Sequence, residues 1–463
     1  MNSRNKKYTL TGIGIVIMAT GCGGMEDGAR EMPASQVNGP AVAVDLDDLM
    51  PTPTLCPGFA DACFFVTNTD PGVVPGSFAQ AIQDANGAAL GGSQTTMIVF
   101  DIPGAGAQVI DVDSPLPPII GPGIIVNGLS QPGAAPSTDD EAATVQVVLD
   151  GSSFPTNPVQ PGILVTGDSN VIKGLGVQNF SGAGILVRGS HNVVRDNRIG
   201  VDAAGQAQPN AGSGVDIREV TFANRVEDNL IDANDEHGVS VLRSEGTVIR
   251  ENAIGATWDR QVGEGNGGSG VWLDRSSHTR VGGGTDEANF IAGNGENGIT
   301  VVGDGAANRF ESNGIWDNKY LGIDLGNDGV TPNDVGDKDE GPNTLVNTPV
   351  ITGVTLDPKS GRYVVDYAME GPVNEQNRYH VEFFASPRCR RLSAGGQIDV
   401  GRSTIQVNGP GFATGSYELP GSAQVGPRSF ITATAIIWNE GRTSFDPDVE
   451  GSTSEFSACY PVP

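Results

Sequence analysis

The sequence predicts an all-β protein in which a long solenoid is followed by a smaller β domain. Two repeated motifs and the composition support this prediction. A Gly-apolar-x-apolar quartet begins at Gly162, Gly184, Gly214, Gly238, Gly270, Gly298 and Gly322. The motif Asn-x-apolar-x-x-Asn-x-apolar begins at Asn192, Asn224 and Asn308, and recurs at Thr247 with Thr in place of the first Asn. Glycine supplies 66 of 463 residues and only 18% are charged, which is typical of turn-rich β structure.

The repeats indicate stacked coils of short strands. Self-similarity at a period of roughly 20–50 residues marks repeat architectures, and the alternation inside each quartet favours a strand. One such unit cannot bury its apolar face alone, so neighbouring units must stack. Gly and Asn suit the bends because they tolerate positive φ, and Asn at matching places in successive coils is expected to form a hydrogen-bonded ladder. The predicted fold is a parallel β-helix, since the motifs of leucine-rich repeats and of calcium-binding nonapeptide rolls are absent.

Residues 1–21 are predicted to be a lipoprotein signal peptide. Basic residues precede the apolar stretch Leu10–Met18, which is too short to span a bilayer. The stretch runs into Ala19-Thr-Gly-Cys22, which resembles a bacterial lipobox with Ala at the usual Leu position. This resemblance implies lipidation of Cys22 and, with Gly23 next, the outer membrane of a Gram-negative bacterium. The alternative is an ordinary signal peptide with an incidental cysteine.

Residues 22–55 are predicted to be a flexible tether, because they are rich in Gly, Pro, Ala and acidic residues and show little periodicity. No later segment is apolar enough over sufficient length to span a membrane, so the lipid chain would be the membrane attachment.

The cysteines predict two disulfides. Assigning Cys22 to the lipid leaves an even four, and an exported compartment permits disulfides. We expect Cys56–Cys63 and Cys389–Cys459, because each pair then lies within one predicted domain. Zinc is less favoured, since the spacings do not fit and the four histidines are scattered.

Residues 56–345 are predicted to form the β-helix, beginning with a cap. The segment Pro75–Asn86 is predicted to be an amphipathic helix, in which Ser77 and Gln80 form a capping box. Its apolar side chains on one face are Phe78, Ala81, Ile82 and Ala85. An open end of a β-helix exposes core and strand edges, so we expect this helix to cover it.

Residues 346–463 lack the repeat and are predicted to be a small Ig-like β-sandwich. Alternating apolar segments begin near Tyr363, Tyr379, Ser403 and Phe430, at a spacing typical of sandwich strands.

Several segments carry a resemblance to a known family, and among them are Gly76–Asn86, Asn127–Gly133, Gly322–Asp334 and Thr453–Cys459. With them the chain resembles bacterial surface and secreted right-handed parallel β-helix repeat proteins that have a CSLREA-type N-terminal cap, although the Cys, Arg and Glu of that motif are missing. The resemblance covers nearly all of the mature chain. It implies a right-handed, pectin-lyase-like solenoid and no single chemistry.

A carbohydrate-binding groove is predicted on the outward side of the quartets. The middle residues of successive quartets are Leu164, Leu186, Asp216, Ser240, Trp272, Thr300 and Asp324. The ligand-groove candidates are Asp216, Arg218, Arg243, Trp272 and Asp274. Aromatic rings stack on the apolar faces of sugars, and charged groups bind hydroxyls or uronates. The alternative is that Trp272 is a scattered apolar surface residue.

No catalytic residues are assigned. Hydrolysis of a glycosidic bond needs two carboxylates roughly 5–9.5 Å apart, whereas Asp216 and Asp324 are four coils apart, about 19 Å at the usual strand spacing. Arg243 near Asp274 is the one constellation that suits a lyase. The expected function is therefore a cell-surface lipoprotein that binds carbohydrate or another surface component, or acts in adhesion. The alternatives are a polysaccharide lyase or hydrolase and a purely structural surface protein.

The charge pattern bears on partners and metals. The net charge of −28 excludes nucleic acid as a favourable partner, although such a charge also simply keeps an exported protein soluble.

An acidic, glycine-bearing segment contains Asp324, Asp328, Asp334, Asp337 and Asp339. Carboxylate oxygens suit Ca²⁺, so Ca²⁺ is the one candidate cofactor. The spacing is not that of an EF-hand, and the alternative is a solvated loop that joins the two domains.

Overall fold

The computed structural model describes residues 56–219, 221–372, 376–389, 394–408, 412–438 and 451–463. The predicted signal peptide, the lipidation site Cys22 and the tether lie outside these residues. Among the helices of the described chain, none has the length and hydropathy needed to cross a bilayer.

Short parallel strands build a right-handed parallel β-helix. They are β1 Ala62–Val66, β2 Thr96–Phe100, β3 Gln108–Asp111, β4 Ile124–Asn127, β5 Val147–Asp150, β6 Ile163–Val165, β7 Val171–Lys173, β8 Leu175–Gln178, β9 Ile185–Val187, β10 Val193–Arg195, β11 Arg198–Ile199, β12 Val215–Arg218, β13 Arg225–Glu227, β14 Leu230–Ile231, β15 Val239–Leu242, β16 Val248–Arg250, β17 Ala253–Ile254, β18 Val271–Asp274, β19 Arg280–Gly282, β20 Phe290–Ala292, β21 Ile299–Val302, β22 Arg309–Glu311, β23 Gly314–Trp316 and β24 Ile323–Leu325. Short 3₁₀ turns lie at Gly128–Ser130, Thr285–Glu287 and Pro342–Leu345.

These strands form three sheets along the solenoid axis. Sheet A has the order β1-β2-β4-β7-β10-β13-β16-β19-β22, sheet B has β3-β5-β8-β11-β14-β17-β20-β23, and sheet C has β6-β9-β12-β15-β18-β21-β24. Each regular coil contributes one strand to each sheet, and the predicted quartets supply sheet C. The apolar side chains that point inward from all three sheets form one continuous core.

The quartet glycines are required by space rather than by backbone dihedral. None of them has a positive φ. A Cβ added at Gly238 would lie 2.4 Å from Cγ2 of Ile254 and 2.7 Å from the carbonyl oxygen of Gly270. The sheet B isoleucine and the next coil therefore occupy the volume that any larger residue would need. Sequence reasoning placed glycine correctly but for a different physical reason.

The predicted asparagine ladder is confirmed. The backbone N–H of Asn229 donates to Oδ1 of Asn252, and that of Asn252 donates to Oδ1 of Asn289, both at 3.0 Å. A second ladder follows sheet B and contains Asn210, Asn234, Asn266, Asn294 and Asn318. Each buried Asn side chain forms hydrogen bonds to the Asn and the backbone of a neighbouring coil, which is why Asn recurs at these places.

A third row is interrupted where the motif carries threonine. It contains Asn192 and Asn224, whose bond is 2.8 Å long, and then Thr247 and Thr279. The hydroxyl groups of both threonines are buried without a hydrogen-bond partner. The substitution that the sequence revealed at Thr247 is therefore a real break in the ladder.

One α-helix, α1 (Phe78–Leu90), lies against the first coil. Ser77 is its N-cap, and its hydroxyl accepts from the N–H of Gln80 at 3.1 Å. The side chain of Gln80 binds Asp84 instead of returning to Ser77, so only half of the predicted capping box forms. The predicted apolar face is buried. The helix continues past Asn86, whose amide oxygen accepts from the chain before β4.

The C-terminal part consists of antiparallel sheets that fit a β-sandwich. Its strands are β25 Val350–Leu356, β26 Tyr363–Glu370, β27 Gln376–Ser386, β28 Ile398–Asn408, β29 Phe412–Glu418, β30 Phe430–Ile437 and β31 Tyr460–Pro461. The sheet orders are β25-β26-β29 and β28-β27-β30-β31, and a separate apolar core lies between them. The disulfides Cys56–Cys63 and Cys389–Cys459 are both confirmed, with Cα–Cα distances of 5.7 and 6.2 Å.

The C-terminal segment closes the far end of the β-helix. Phe384 and Phe456 belong to the solenoid core. Side chains replace the missing next coil: the hydroxyl of Thr453 accepts from the N–H of Phe310 at 2.9 Å, and the carboxyl of Glu455 accepts from that of Leu325 at 3.0 Å. The exposed edges and core of the last coil are thereby covered.

Candidate functional site

The predicted outward row exists as a register of sheet C. Leu164, Leu186, Asp216, Ser240, Trp272, Thr300 and Asp324 are Cα partners in successive strands. The row was predicted to face outward, but three of its side chains are buried, and they are Asp216, Thr300 and Asp324. They lie outside the apolar core and are covered by polar side chains. The side chain of Asp216 pairs with Arg218, and those of Thr300 and Asp324 accept from Asn297.

Trp272 is the centre of this face. Its half-buried ring stacks on the imidazole of His237, with ring centroids 4.7 Å apart and planes inclined by 18°. Nδ1 of His237 accepts from the N–H of Ser269 at 3.0 Å. Burial lowers the pKa of His237, although nearby Glu296 and Glu236 oppose this shift. The two rings therefore form an uncharged aromatic platform at neutral pH.

Four arginines lie at the ends of successive sheet C strands, from β9 to β18, the strand that carries Trp272. This arginine stripe consists of Arg188, Arg243 and Arg275, which directly follow β9, β15 and β18, and of Arg218, the last residue of β12. Arg275 makes a two-point pair with Asp274 at 2.8 and 2.9 Å. Arg243 is exposed, and its N–H donates to the carbonyl of Asp274 at 2.9 Å. The predicted residues Arg243, Trp272 and Asp274 thus lie in adjacent coils. Asp216 and Arg218 belong to β12, in the coil before that of Arg243.

The strand register also keeps the two carboxylates of the row, Asp216 and Asp324, far apart. Asp216 and Asp324 are separated by four strand pairings, which is about 19 Å at the usual strand spacing. They cannot act as a pair on one glycosidic bond.

A stack of carboxyl groups beside sheet A was missed by sequence reasoning. Asp196, Asp228 and Glu251 directly follow the registered residues Arg195, Glu227 and Arg250, and each has a φ between 56° and 59°. The sequence contained the signal, because all three occupy the position before the second Asn of the repeated motif. Only the fold shows that this position places acidic groups one above another.

Arg195 joins two members of the carboxyl stack. Its guanidinium lies 2.8 Å from Asp196 and 3.6 Å from Asp228. Asp196 also accepts from the N–H and the hydroxyl of Ser137, at 2.9 and 2.8 Å. Burial, followed by the charges of Glu251 and Asp196, raises the pKa of Asp228 well above its ordinary value. Both aspartates are buried, with exposed fractions of 1% and 7%, and Ser137 covers Asp196.

The structure brings three of the five predicted metal-ligand candidates together. Carboxylate oxygens of Asp334, Asp337 and Asp339 lie within 4.8 Å of one another. Asp324 and Asp328 are connected to each other instead, since the N–H of Asp328 donates to Asp324. Burial, with the charges of Asp339 and Asp334 next, raises the pKa of Asp337 to about 7. Oδ1 of Asp339 is buried without a hydrogen-bond partner, and the all-oxygen donor set suits Ca²⁺.

Comparison with known proteins identifies the regular coils. Residues 161–334 match the family model described as "Right handed beta helix region". No curated protein matches the chain.

Several solved structures are similar at low identity. Pectate lyase Pel9A is 17% identical, over 63% of this chain and 74% of that chain, with a TM-score of 0.35. The enzymatically active domain of bacteriophage CBA120 tailspike protein 2 is 9% identical, over 86% and 81% of the two chains, with a TM-score of 0.32. DFA-IIIase from Arthrobacter chlorophenolicus A6 is 16% identical, over 52% and 65%, with a TM-score of 0.26. At these values the similarities concern the architecture and not a shared substrate.

Proposed function

We propose that this protein binds carbohydrate along the outward face of sheet C. The observation that carries the proposal is the Trp272–His237 stack, which lies beside the Asp274–Arg275 pair and the exposed Arg243. An aromatic ring binds the apolar face of a sugar, and the charged pair offers donors and acceptors to its hydroxyl groups.

The arginine stripe extends this recognition beyond one sugar. The four arginines are carried on neighbouring coils, whose strands lie roughly 4.8 Å apart along the solenoid axis. An extended polysaccharide that follows the axis would meet one of them per coil. Arg188, Arg218 and Arg275 pair with Glu219, Asp216 and Asp274. Among the described residues, Arg243 is the member of the stripe that forms no ion pair, so it would bind the carboxylate of a uronate in two-point geometry.

The proposed setting is the surface of a Gram-negative cell. Lipidation at Cys22 would anchor the chain, and residues 22–55 would hold the solenoid away from the membrane. Substitution of Cys22 by Ser, followed by cell fractionation, tests this part separately. The result that contradicts it is an unchanged membrane fraction.

A glycan array followed by calorimetry tests the binding face. Trp272→Ala should reduce binding of the selected glycan at least tenfold, whereas Trp272→Phe should retain most of it because a ring remains. Trp258→Ala is the matched control, because Trp258 lies outside sheet C and its Nε1 donates to Thr138. Binding that survives Trp272→Ala rules out the proposed face.

The carboxyl stack favours a second candidate function, hydrolysis of a polysaccharide. Asp196 and Asp228 lie on adjacent coils, whose strands are roughly 4.8 Å apart, and retaining glycosidases hold their two carboxyls about 5–5.5 Å apart. The raised pKa of Asp228 suits a general acid. The segment around Ser137 would have to move aside. New reducing ends formed by the wild-type protein and abolished in Asp228→Asn would support this candidate, and unsaturated products lost in Arg243→Gln would support a lyase instead.

We also propose that Asp334, Asp337 and Asp339 bind Ca²⁺. The cation would neutralise three converging carboxylates and stiffen the connection between β24 and β25.

A further inference from the structure

We propose that a second binding site, for a single carboxylated sugar unit, lies in the cleft between sheet B and the sandwich. This junction cleft has a volume of about 330 Å³ and is lined by Arg260, Gln261, Trp316, Asp317, Arg388 and Gln397, among others. The volume lies at the small end of the range for ligand sites, roughly 300–1,000 Å³, which suits one sugar ring.

Backbone pairing between the two parts of the protein builds this cleft. The N–H of Ile315, in β23, donates to the carbonyl of Gly396 at 2.6 Å. This bond places Gln397 beside the last strand of sheet B. The N–H of Gln397 donates to the hydroxyl of Ser386 at 3.1 Å, and the hydroxyl of Thr432 donates to the carbonyl of Gly395 at 2.9 Å. The walls are therefore fixed by hydrogen bonds from β23, β27 and β30.

The two arginines of the junction cleft differ from most others in the protein. Ten arginines of the described chain pair with carboxylates, and they are Arg188, Arg195, Arg218, Arg225, Arg250, Arg275, Arg280, Arg309, Arg362 and Arg402. Within the same residues, Arg260 and Arg388 form no ion pair. The chain has 55 acidic and only 27 basic residues, so two guanidinium groups that form no ion pair at one cleft point to an anion supplied from outside.

Arg260 is held in position before any ligand arrives. Its guanidinium carbon lies 4.4 Å above the centroid of the Phe290 ring, a cation–π contact. The residue has a φ of 63° in the turn that starts at Thr257. A side chain with such support loses less conformational freedom when it binds a carboxylate in two-point geometry.

The remaining lining favours a sugar over a bare anion. The Trp316 ring meets the Phe290 ring edge to face, with centroids 6.4 Å apart, and forms an apolar wall. The amide groups of Gln261 and Gln397 can both donate to and accept from hydroxyls. A ring with one apolar face, several hydroxyls and one carboxylate matches this set. The site lies on sheet B, so it is independent of the face proposed on sheet C.

Calorimetric titration with methyl β-glucuronide tests the proposal, with methyl β-glucoside as the neutral counterpart. The intact protein should bind the glucuronide at least tenfold more tightly, and added salt should weaken this binding. The double variant Arg260→Gln/Arg388→Gln should lose at least tenfold in affinity, and Arg428→Gln, which changes an arginine outside the cleft, should lose none. Trp272→Ala should leave this binding intact, which separates the junction cleft from the sheet C face.

Three results would overturn the proposal. They are the absence of glucuronide binding at millimolar concentration, an affinity unchanged in the double variant, and equally tight binding of inorganic sulfate, which would show that the cleft recognises charge alone. Both arginines are exposed, so the variants should fold. If the melting temperature of the double variant falls, the single variant Arg388→Gln carries the comparison.

Discussion

Glu382 should make the stability of the protein depend on pH, and Glu382→Gln should remove the part of that dependence that Glu382 causes. Glu382 lies in β27 where the sandwich meets the last coil, and it is only 1% exposed. Its Oε2 accepts from the N–H of Ser312 at 3.1 Å. Burial raises its pKa to about 8; the charges of Asp399 and Glu311 act in the same direction, and Arg402 opposes them.

The sign and size of the effect follow from proton linkage. The folded protein keeps this carboxyl protonated up to a pH of about 8, whereas the unfolded chain releases the proton near its ordinary pKa of 4.5. The stabilisation is fully present below the unfolded value and is lost as the pH rises to the folded value. Across that window the folded state holds one extra proton, so the free energy of unfolding falls by about 1.4 kcal/mol per pH unit.

Glutamine imitates the protonated acid and cannot ionise. It retains an acceptor for the N–H of Ser312 and presents its amide N–H₂ toward the same neighbours. Glu382→Gln should therefore match the wild-type protein near pH 4.5 and exceed it increasingly up to pH 8, because the variant avoids the cost of a buried charge. Asp337 and Glu455 also have raised pKa values, of about 7, but they are common to both proteins and cancel in the difference.

Urea denaturation followed by circular dichroism at pH 5, 6, 7, 8 and 9 measures this difference. The control is Glu418→Gln, because Glu418 is an exposed partner of Arg362 and should leave the pH profile unchanged. Parallel profiles for the wild-type protein and Glu382→Gln would refute the reasoning.

Three further predictions concern the ladder, the acidic cluster and the disulfide. Asn252→Ala should lower the free energy of unfolding by roughly 3 kcal/mol or more, since loss of its side-chain amide strands several buried donors and acceptors, whereas Asn68→Ala at an exposed turn should cost under about 1 kcal/mol; equal losses in urea denaturation would contradict this. EDTA should lower the melting temperature of the wild-type protein and of Asp328→Ala but not that of Asp337→Asn, and insensitivity of the wild-type protein would exclude the calcium site. The double variant Cys389→Ser/Cys459→Ser should be less stable by about 2–5 kcal/mol, measured by thermal unfolding, and an unchanged melting temperature would show that the bridge contributes nothing.

Local and periodic features were predictable from the sequence. The row through Trp272 and the ladder through Asn252 follow directly from repeats in which one residue type recurs at one place in each coil. The N-cap Ser77 was also recognisable, because capping depends on a few neighbouring residues. Registered strands preserve such patterns in space, so the sequence order of the coils becomes their stacking order.

Features that depend on distant contacts were not predictable. The bond between Thr453 and the N–H of Phe310 joins residues that no periodicity relates, and the junction cleft depends on the pairing of Ile315 with Gly396 in the same way. The carboxyl stack is an intermediate case. Its residues recur in the motif, but the cover over Asp196 comes from Ser137, which lies outside the repeat.

Because both ends of the β-helix are covered, the number of coils between them can change without exposing a new end. Each internal coil pairs with a coil on either side. Within the residues that the structure describes, α1 packs on the first coil, and the segment around Thr453 pairs with the last coil. Duplication or deletion of one whole coil would therefore displace the sandwich by roughly 4.8 Å along the axis while both terminal contacts stay the same. Gain or loss of a repeat in the gene would in this way change the length of the β-helix in equal steps of one coil.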